Sequence, residues 1–250
     1  NGEIQLMNKM IIPLIACIAC AVIVSVTAVS VRPEQNLNIE NEKKLKILAA
    51  AGIVTNEVDK EFSKIETLYI DFVSNQLIQI EGNYDHIKAS ASAESSSIIP
   101  KKQDIAILKR RENVAPIYVW YSEEEQIQKV VLPIRGYGLW GTLYGYISLD
   151  ADLNTVKGIE YYDHKETPGL GGEVDSPAWK SDWNGKKVYN SSGEVILYVT
   201  KGPSSEDYEI DGISGATLTS NGVTNMIRYW LGENGYGPVL QQLREGLVNA

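Results

Sequence analysis

The stretch "GTLYGYISLD", residues 141–150, repeats with period two and is rich in β-branched and aromatic residues, the pattern of a half-buried strand. The pattern recurs in "PIYVWY" (116–121), "KVVLPI" (129–134), "TVKGIEYYDH" (155–164) and "GEVILYVTKG" (193–202), which predicts five strands. Their short connections make the pairing mostly antiparallel. Helical spacing flanks them. Upstream, "IENEKKLKILAAAGIV" (39–54) puts Leu45, Leu48 and Ala49 on one face, with Gly52 as a C-cap. A second helix is expected from Thr55 or Asn56, with Val58, Phe62, Ile65 and Tyr69 at helical spacing. Downstream, residues 221–231 form a helix ended by Gly232, and residues 238–248 another with Leu240, Leu243 and Leu247 as its apolar stripe. Residues 84–104 are small and polar without periodicity and read as a linker or mobile excursion. The fold class is α+β, without internal repeat.

Ahead of this domain, residues 10–31 run for 22 positions without a charge between Lys9 and Arg32. At about 1.5 Å per residue that length crosses a ~30 Å hydrocarbon core, which predicts a single transmembrane helix. A cleaved signal peptide is the competing reading, but its apolar region runs to only ~7–15 residues, and no small-x-small site closes this one. The expected organisation is a short segment at 1–9, the span at 10–31, a helical and linker region at 32–110 and the main domain at 111–250. Charge does not orient the span: Lys9 precedes it and Arg32, Lys43, Lys44 and Lys46 follow it.

A net charge of -9 argues against a nucleic-acid partner. Both cysteines, Cys17 and Cys20, lie inside the span, so the domain has no thiol for an iron-sulfur cluster or a disulfide. With only His86 and His164 in the chain, a histidine-rich metal site is not expected either.

Four glycine-rich segments are candidates for chemistry: "IRGYGLWGTLYG" (134–145), "HKETPGLGGEV" (164–174), "KGPSSED" (201–207) and "DGISGATLTS" (211–220). Glycines beside aromatics let backbone approach a flat ligand, with Trp140, Tyr144 and Leu170 as faces for it. In the last segment Thr219 or Ser220 is expected to cap the helix at 221, which leaves free N–H groups and the positive helix end near Thr217, suited to a phosphate. No base stands near Thr217 in sequence to make it a nucleophile. The spacing matches neither a P-loop nor a dinucleotide fingerprint.

The run Asp211-Gly212-Ile213-Ser214-Gly215-Ala216-Thr217 resembles the motif of proteins whose threonine is esterified to the phosphate of FMN by a flavin transferase. Together with "GYGLWGTLYGYISLD", "DLNTVKGIEYYDHKETPGLGGEV", "YWLGENGYGPVL" and "ILAAAGI", the chain resembles the covalent-FMN subunit, designated C, of the sodium-translocating NADH:quinone oxidoreductases. The resemblance implies covalent FMN on Thr217, with Ser214, Gly215, Ala216 and Thr219 around the attachment point. It further implies that Glu166, Thr167, Leu170 and Gly171 lie against the flavin ring, with Trp140, Gly141, Thr142 and Leu143 on its other side. Glu166 could instead be a solvated loop charge, and His164 reads as a structural hydrogen-bonder. No residue of the chain is expected to be catalytic and no metal is expected.

On this resemblance the chain is a membrane-anchored electron carrier within an NADH- and ubiquinone-linked, sodium-transporting respiratory translocase. The partners it implies are the other subunits, the flavin transferase during maturation and membrane lipid. The location it implies is the bacterial inner membrane, single-pass, with a periplasmic domain. The equivalent flavin subunit of Rnf-type ferredoxin:NAD oxidoreductases shares ETPGLG-like and SGAT-like motifs, but "GLWGTLYGY" and "WLGENGYGPVL" favour the quinone reductase. A reading from another class is a membrane-tethered interaction domain without a cofactor.

Overall fold

A computed structural model describes residues 2–82 and 84–246 of the chain. The chain divides into two compact units, Asn1–Lys43 and Lys44–Ala250. Helix α1 (Gly2–Ala50) supplies the first and enters the second. It is the one helix among the described residues long and apolar enough to cross a membrane, with a mean hydropathy of 2.7 over its most apolar window. Its apolar side chains there, among them Ile15, Val22, Ile23 and Val26, are exposed, as a lipid-facing surface requires. The predicted helix at 39–54 is the continuation of α1, which ends where Gly52 takes φ +74° and Ile53 N–H bonds the Leu48 carbonyl at 2.8 Å.

The second unit is built on a six-stranded antiparallel sheet. After α2 (Val58–Phe62) come β1 (Ile65–Asp71), β2 (Gln76–Ile78), α3 (His86–Ala91), β3 (Ser96–Ile98), β4 (Arg110–Glu112), β5 (Val114–Tyr121), β6 (Ile127–Tyr137), β7 (Thr142–Asp150) and β8 (Val156–Asp163). The sheet order is β2-β1-β5-β6-β7-β8, and β3 pairs with β4 apart from it. Then follow a 3₁₀ turn (Gly171–Asp175), α4 (Pro177–Ser181), the two-residue strands β9 (Tyr198–Val199) and β10 (Glu209–Ile210), α5 (Thr217–Leu231) and α6 (Gly237–Arg244). Leu247 and Val248, expected in the last helix, lie outside the described residues.

Alternation along the strands feeds two cores. Ile117, Val119, Val130, Leu132, Ile134, Leu143, Ile147 and Leu149 point toward α5 and α6. Trp120, Val131 and Tyr146 point the other way, where Ile47, Leu48, Ala50 and Ala51 at the end of α1 cover them.

Three expectations change. Ile65 and Tyr69 belong to β1 and not to a helix: a spacing of four satisfies both periods, and residue-by-residue pairing with β5 from Ile65 opposite Trp120 to Asp71 opposite Val114 decides between them. Residues 84–104 are structured through polar bonds that leave no hydrophobic period. Asp85 Oδ1 accepts from Ile87 and Lys88 N–H at 3.1 Å to cap α3, and Arg110 Nε donates to Ser96 Oγ at 2.8 Å across β3 and β4. "GEVILYVTKG" leaves only Tyr198–Val199 as strand, paired in parallel with β10 outside the main sheet. Its apolar run is buried by packing near α5, where Val199 N–H donates to Thr224 Oγ1 at 3.0 Å.

A buried ion pair ties β4 to β6. Arg135 donates from both terminal nitrogens to Glu112, at 2.7 and 2.5 Å, while His86 Nδ1 lies 3.2 Å from the same carboxylate. Trp230 of α5 packs its ring 5.1 Å from the guanidinium carbon and donates its indole N–H to the Arg135 carbonyl at 2.6 Å. Burial would raise the Glu112 carboxyl, but the Arg135 charge and the hydrogen bonds from His86 and Arg135 outweigh it and hold the group at about 2. A depressed carboxylate stabilises the fold fully above its ordinary value of 4.5, and that contribution is lost as pH falls toward about 2. Glu112→Ala, which strands the Arg135 charge in the core, is expected to lower stability by about 3–5 kcal/mol in urea unfolding at neutral pH and to flatten the acid limb of the stability profile.

Candidate functional site

The site forms where the β6–β7 turn, the loop after β8 and the start of α5 meet. The turn at 138–141 closes with Gly138 N–H on the Gly141 carbonyl at 2.8 Å, and leaves Leu139 and Trp140 exposed. The loop after β8 folds back on Thr167, whose carbonyl accepts from Leu170 N–H at 3.1 Å and Gly172 N–H at 2.9 Å. Thr167, Pro168, Gly169 and Leu170 are all exposed. Gly215 lies under a Leu170 methyl group, so the loop covers the segment leading into α5.

α5 begins at Thr217, four residues earlier than the sequence suggests. Thr219 and Ser220 therefore do not precede the helix as caps but lie inside its first turns, fully buried. The N-cap is Ala216, whose side chain accepts nothing, and the first intrahelical bond is Ser220 N–H to the Ala216 carbonyl at 3.0 Å. The N–H groups of Thr217, Leu218 and Thr219 thus lack intrahelical acceptors at the positive end of a 15-residue helix. Thr217 is exposed there, and no described side chain hydrogen-bonds its hydroxyl.

The segment before Thr217 is held from behind. Asp211 Oδ1 accepts from Ser204 N–H at 2.6 Å, its N–H donates to Asp182 Oδ2 at 2.7 Å, and its carbonyl accepts the Trp179 indole N–H at 2.8 Å. Ile213 and Ala216 are buried, whereas Ser214 and Gly215 face out. Beside them a depression of about 290 Å³ is lined by Glu173, Ser176, Ala178, Trp179 and residues 211–214. Asp211 is thus a staple for the loop.

Glu166 is not a solvated loop charge. It is 6% exposed between the exposed Lys165 and Thr167, with Oε1 accepting from Leu139 N–H at 3.0 Å and Trp140 N–H at 2.9 Å, and Oε2 accepting the Thr219 hydroxyl at 2.6 Å. His164 Nε2 sits 2.8 Å from Asp175 Oδ2 and Nδ1 accepts Glu166 N–H at 3.2 Å, a structural arrangement. Trp140, Glu166, Leu170, Gly171, Gly215, Thr217 and Thr219 are thereby brought into one neighbourhood. Gly141 meets it through Lys165, 3.4 Å away from a Cβ placed at that glycine, and Thr142 opens β7 opposite Tyr137. Leu143 differs: its side chain is fully buried in the core, with Cδ1 packed beneath Gly138 of the turn, 3.1 Å from a Cβ placed at that glycine.

Leu139 and Leu218, both exposed, join Trp140 and Leu170 among the exposed apolar groups of these segments, and neither was expected from the sequence. A signal for Leu218 existed, because helical phase puts it with Asn221 and Arg228 on the polar face of α5.

These elements define an FMN-binding domain, and residues 138–232 match the FMN-binding domain family. The chain belongs to the NqrC family, the C subunits of the Na(+)-translocating NADH-quinone reductases. It is 40% identical to the NqrC relative from Yersinia pestis, over 96% of this chain and 94% of the relative, and 39% identical to that from Vibrio alginolyticus, over 93% of each. Among solved structures, NqrC of Shewanella oneidensis superposes with a TM-score of 0.76 at 33% identity, covering 83% of this chain and 99% of that one.

Gly222 sets how closely α5 approaches the turn, because a Cβ there would collide with the Tyr137 carbonyl and the Gly138 Cα. Backbone cannot yield as a side chain does, so Gly222→Ala is expected to cost about 1–3 kcal/mol in chemical unfolding.

Proposed function

We propose that this chain carries FMN as a phosphoester on Thr217 and relays electrons between partner subunits of a sodium-pumping NADH:quinone oxidoreductase. The observation that carries the proposal is the exposed Thr217 at the uncapped start of α5, among segments that expose Leu139, Trp140, Leu170 and Leu218. An acceptor-free helix start suits a phosphate, and the apolar groups suit a flat ring. The residues present therefore fit the group. FMN, when bound, supplies the electron-accepting and electron-donating centre.

The chain's own residues do the rest. The first-turn N–H groups, that of Thr219 included, and Ser214, Gly215 and Ala216 surround the phosphate end, while the Thr219 hydroxyl turns inward to Glu166. Trp140, Leu170 and the backbone of Gly141, Thr142, Leu143, Thr167 and Gly171 border the ring and limit water around it. Thr217 needs no base, because a separate flavin transferase forms the ester. The covalent tether then keeps the local flavin concentration high without a tight pocket. α1 anchors the chain in the bacterial inner membrane, with the second unit on the periplasmic side, where a domain without thiols is at home. The named relatives support the quinone reductase over an Rnf-type complex.

Coexpression with a flavin transferase and peptide mass spectrometry test the linkage. An FMN-sized increment is expected on the peptide containing Thr217, retained in part by Thr217→Ser and absent from Thr217→Val; equal loading of the Val variant would refute the ester. Leu170→Ala is expected to leave loading near wild type and to move the flavin midpoint potential by roughly 30 mV, the two-electron equivalent of about 1.4 kcal/mol. Redox titration of the purified chain measures that shift.

A further inference from the structure

We propose that Glu166 is a positioning residue: its carboxylate fastens the β6–β7 turn and the first turn of α5 to the loop after β8, and so sets the spacing of the groups that border the flavin. The proposal rests on the flavin reading above and assigns Glu166 no contact with the ring.

Three donors from two other segments converge on this one side chain, at 3.0, 2.9 and 2.6 Å. Two of them are the main-chain N–H groups of Leu139 and Trp140, in a turn whose side chains point to solvent. Such a turn has little apolar burial to hold it, so its conformation depends on where those two N–H groups are satisfied. The third donor, Thr219, is in the first turn of α5, two residues beyond Thr217. The carboxylate therefore links the backbone that carries Trp140 to the helix start that carries Thr217.

The surrounding glycines fit the same purpose. A Cβ at Gly138 would stand 2.6 Å from Glu166 Oε1, and one at Gly171 would stand 2.6 Å from Oε2 and 2.5 Å from Thr219 Oγ1. Glycine at these two positions makes room for a buried carboxylate and its three bonds. Two of the glycines that in sequence suggest backbone approach to a ligand thus serve the brace.

Positioning and a direct electrostatic effect on the flavin are separated by the conservative variant. In Glu166→Gln the amide oxygen can still accept from both turn N–H groups, while the amide N–H faces the Thr219 hydroxyl, which accepts as well as donates. The negative charge is removed and the brace is kept. Glu166→Ala removes both.

The first measurement is amide hydrogen exchange on the full chain produced without a transferase. Glu166→Ala is expected to speed exchange at Leu139 and Trp140 by about tenfold or more, with Glu166→Gln close to wild type. Wild-type exchange in the Ala variant would overturn the brace whether or not the chain carries flavin. The second measurement is the visible circular dichroism and midpoint potential of the flavinylated chain. Glu166→Gln should match wild type while Glu166→Ala departs in both. An equal shift in potential for the two variants would overturn the proposal in favour of charge acting on the ring, and an unchanged Ala variant would overturn it as well. If Glu166→Ala does not fold, Thr219→Val removes a single donor and should alter the dichroism in the same sense with smaller amplitude; no alteration refutes the proposal. A wild-type chain without flavin on Thr217 would count against the flavin reading alone, because the exchange measurement still decides the brace.

Discussion

Everything at the site depends on how closely α5 lies against the end of β6. At Gly222 the helix backbone meets the Tyr137 carbonyl with no side chain between them, and about two helical turns further along Trp230 bonds the Arg135 carbonyl of the same strand. This fixes α5 along β6 at two points. The helix start therefore reaches the β6–β7 turn, and Thr217 stands beside the segments that expose Trp140 and Leu170. Behind the strand, the Glu112–Arg135 pair and the ring of Trp230 make that contact rigid.

A site made this way need not be a deep pocket. The exposed hydroxyl, the free N–H groups of the first helical turn and a few solvent-facing apolar side chains lie on a rigid base, and a covalent bond to the cofactor would replace the burial that a dissociable one requires. For an electron carrier that exchanges with partner subunits, an open ring edge is useful, because partners must come near it. A second unit without cysteine, the long apolar helix and the acidic charge are compatible with that work.

Much of the fold is legible in the sequence. Strands at 116–121, 129–134, 141–150 and 155–164 are read correctly because each is short, rich in β-branched and aromatic residues and joined to the next by a short connection. Ile65 and Tyr69 are ambiguous in sequence because a spacing of four serves both periods. The order of residues 84–104 is not legible in sequence because serine and aspartate side chains, and not an apolar stripe, organise them. The sequence places the start of α5 too late because Thr219 and Ser220 are residue types that favour caps, yet here they turn inward to Glu166 and Ile213.

The sequence by itself determined the long apolar helix and the antiparallel character of the domain, because these follow from local composition and short connections, and its motifs carried the resemblance to the family. Only the tertiary structure decided what Glu166 does, that Leu143 is core, and that Leu139 and Leu218 border the site. Those roles arise from contacts between residues as far apart as 138, 166 and 219, and no local pattern specifies which buried acceptor will meet which distant donor.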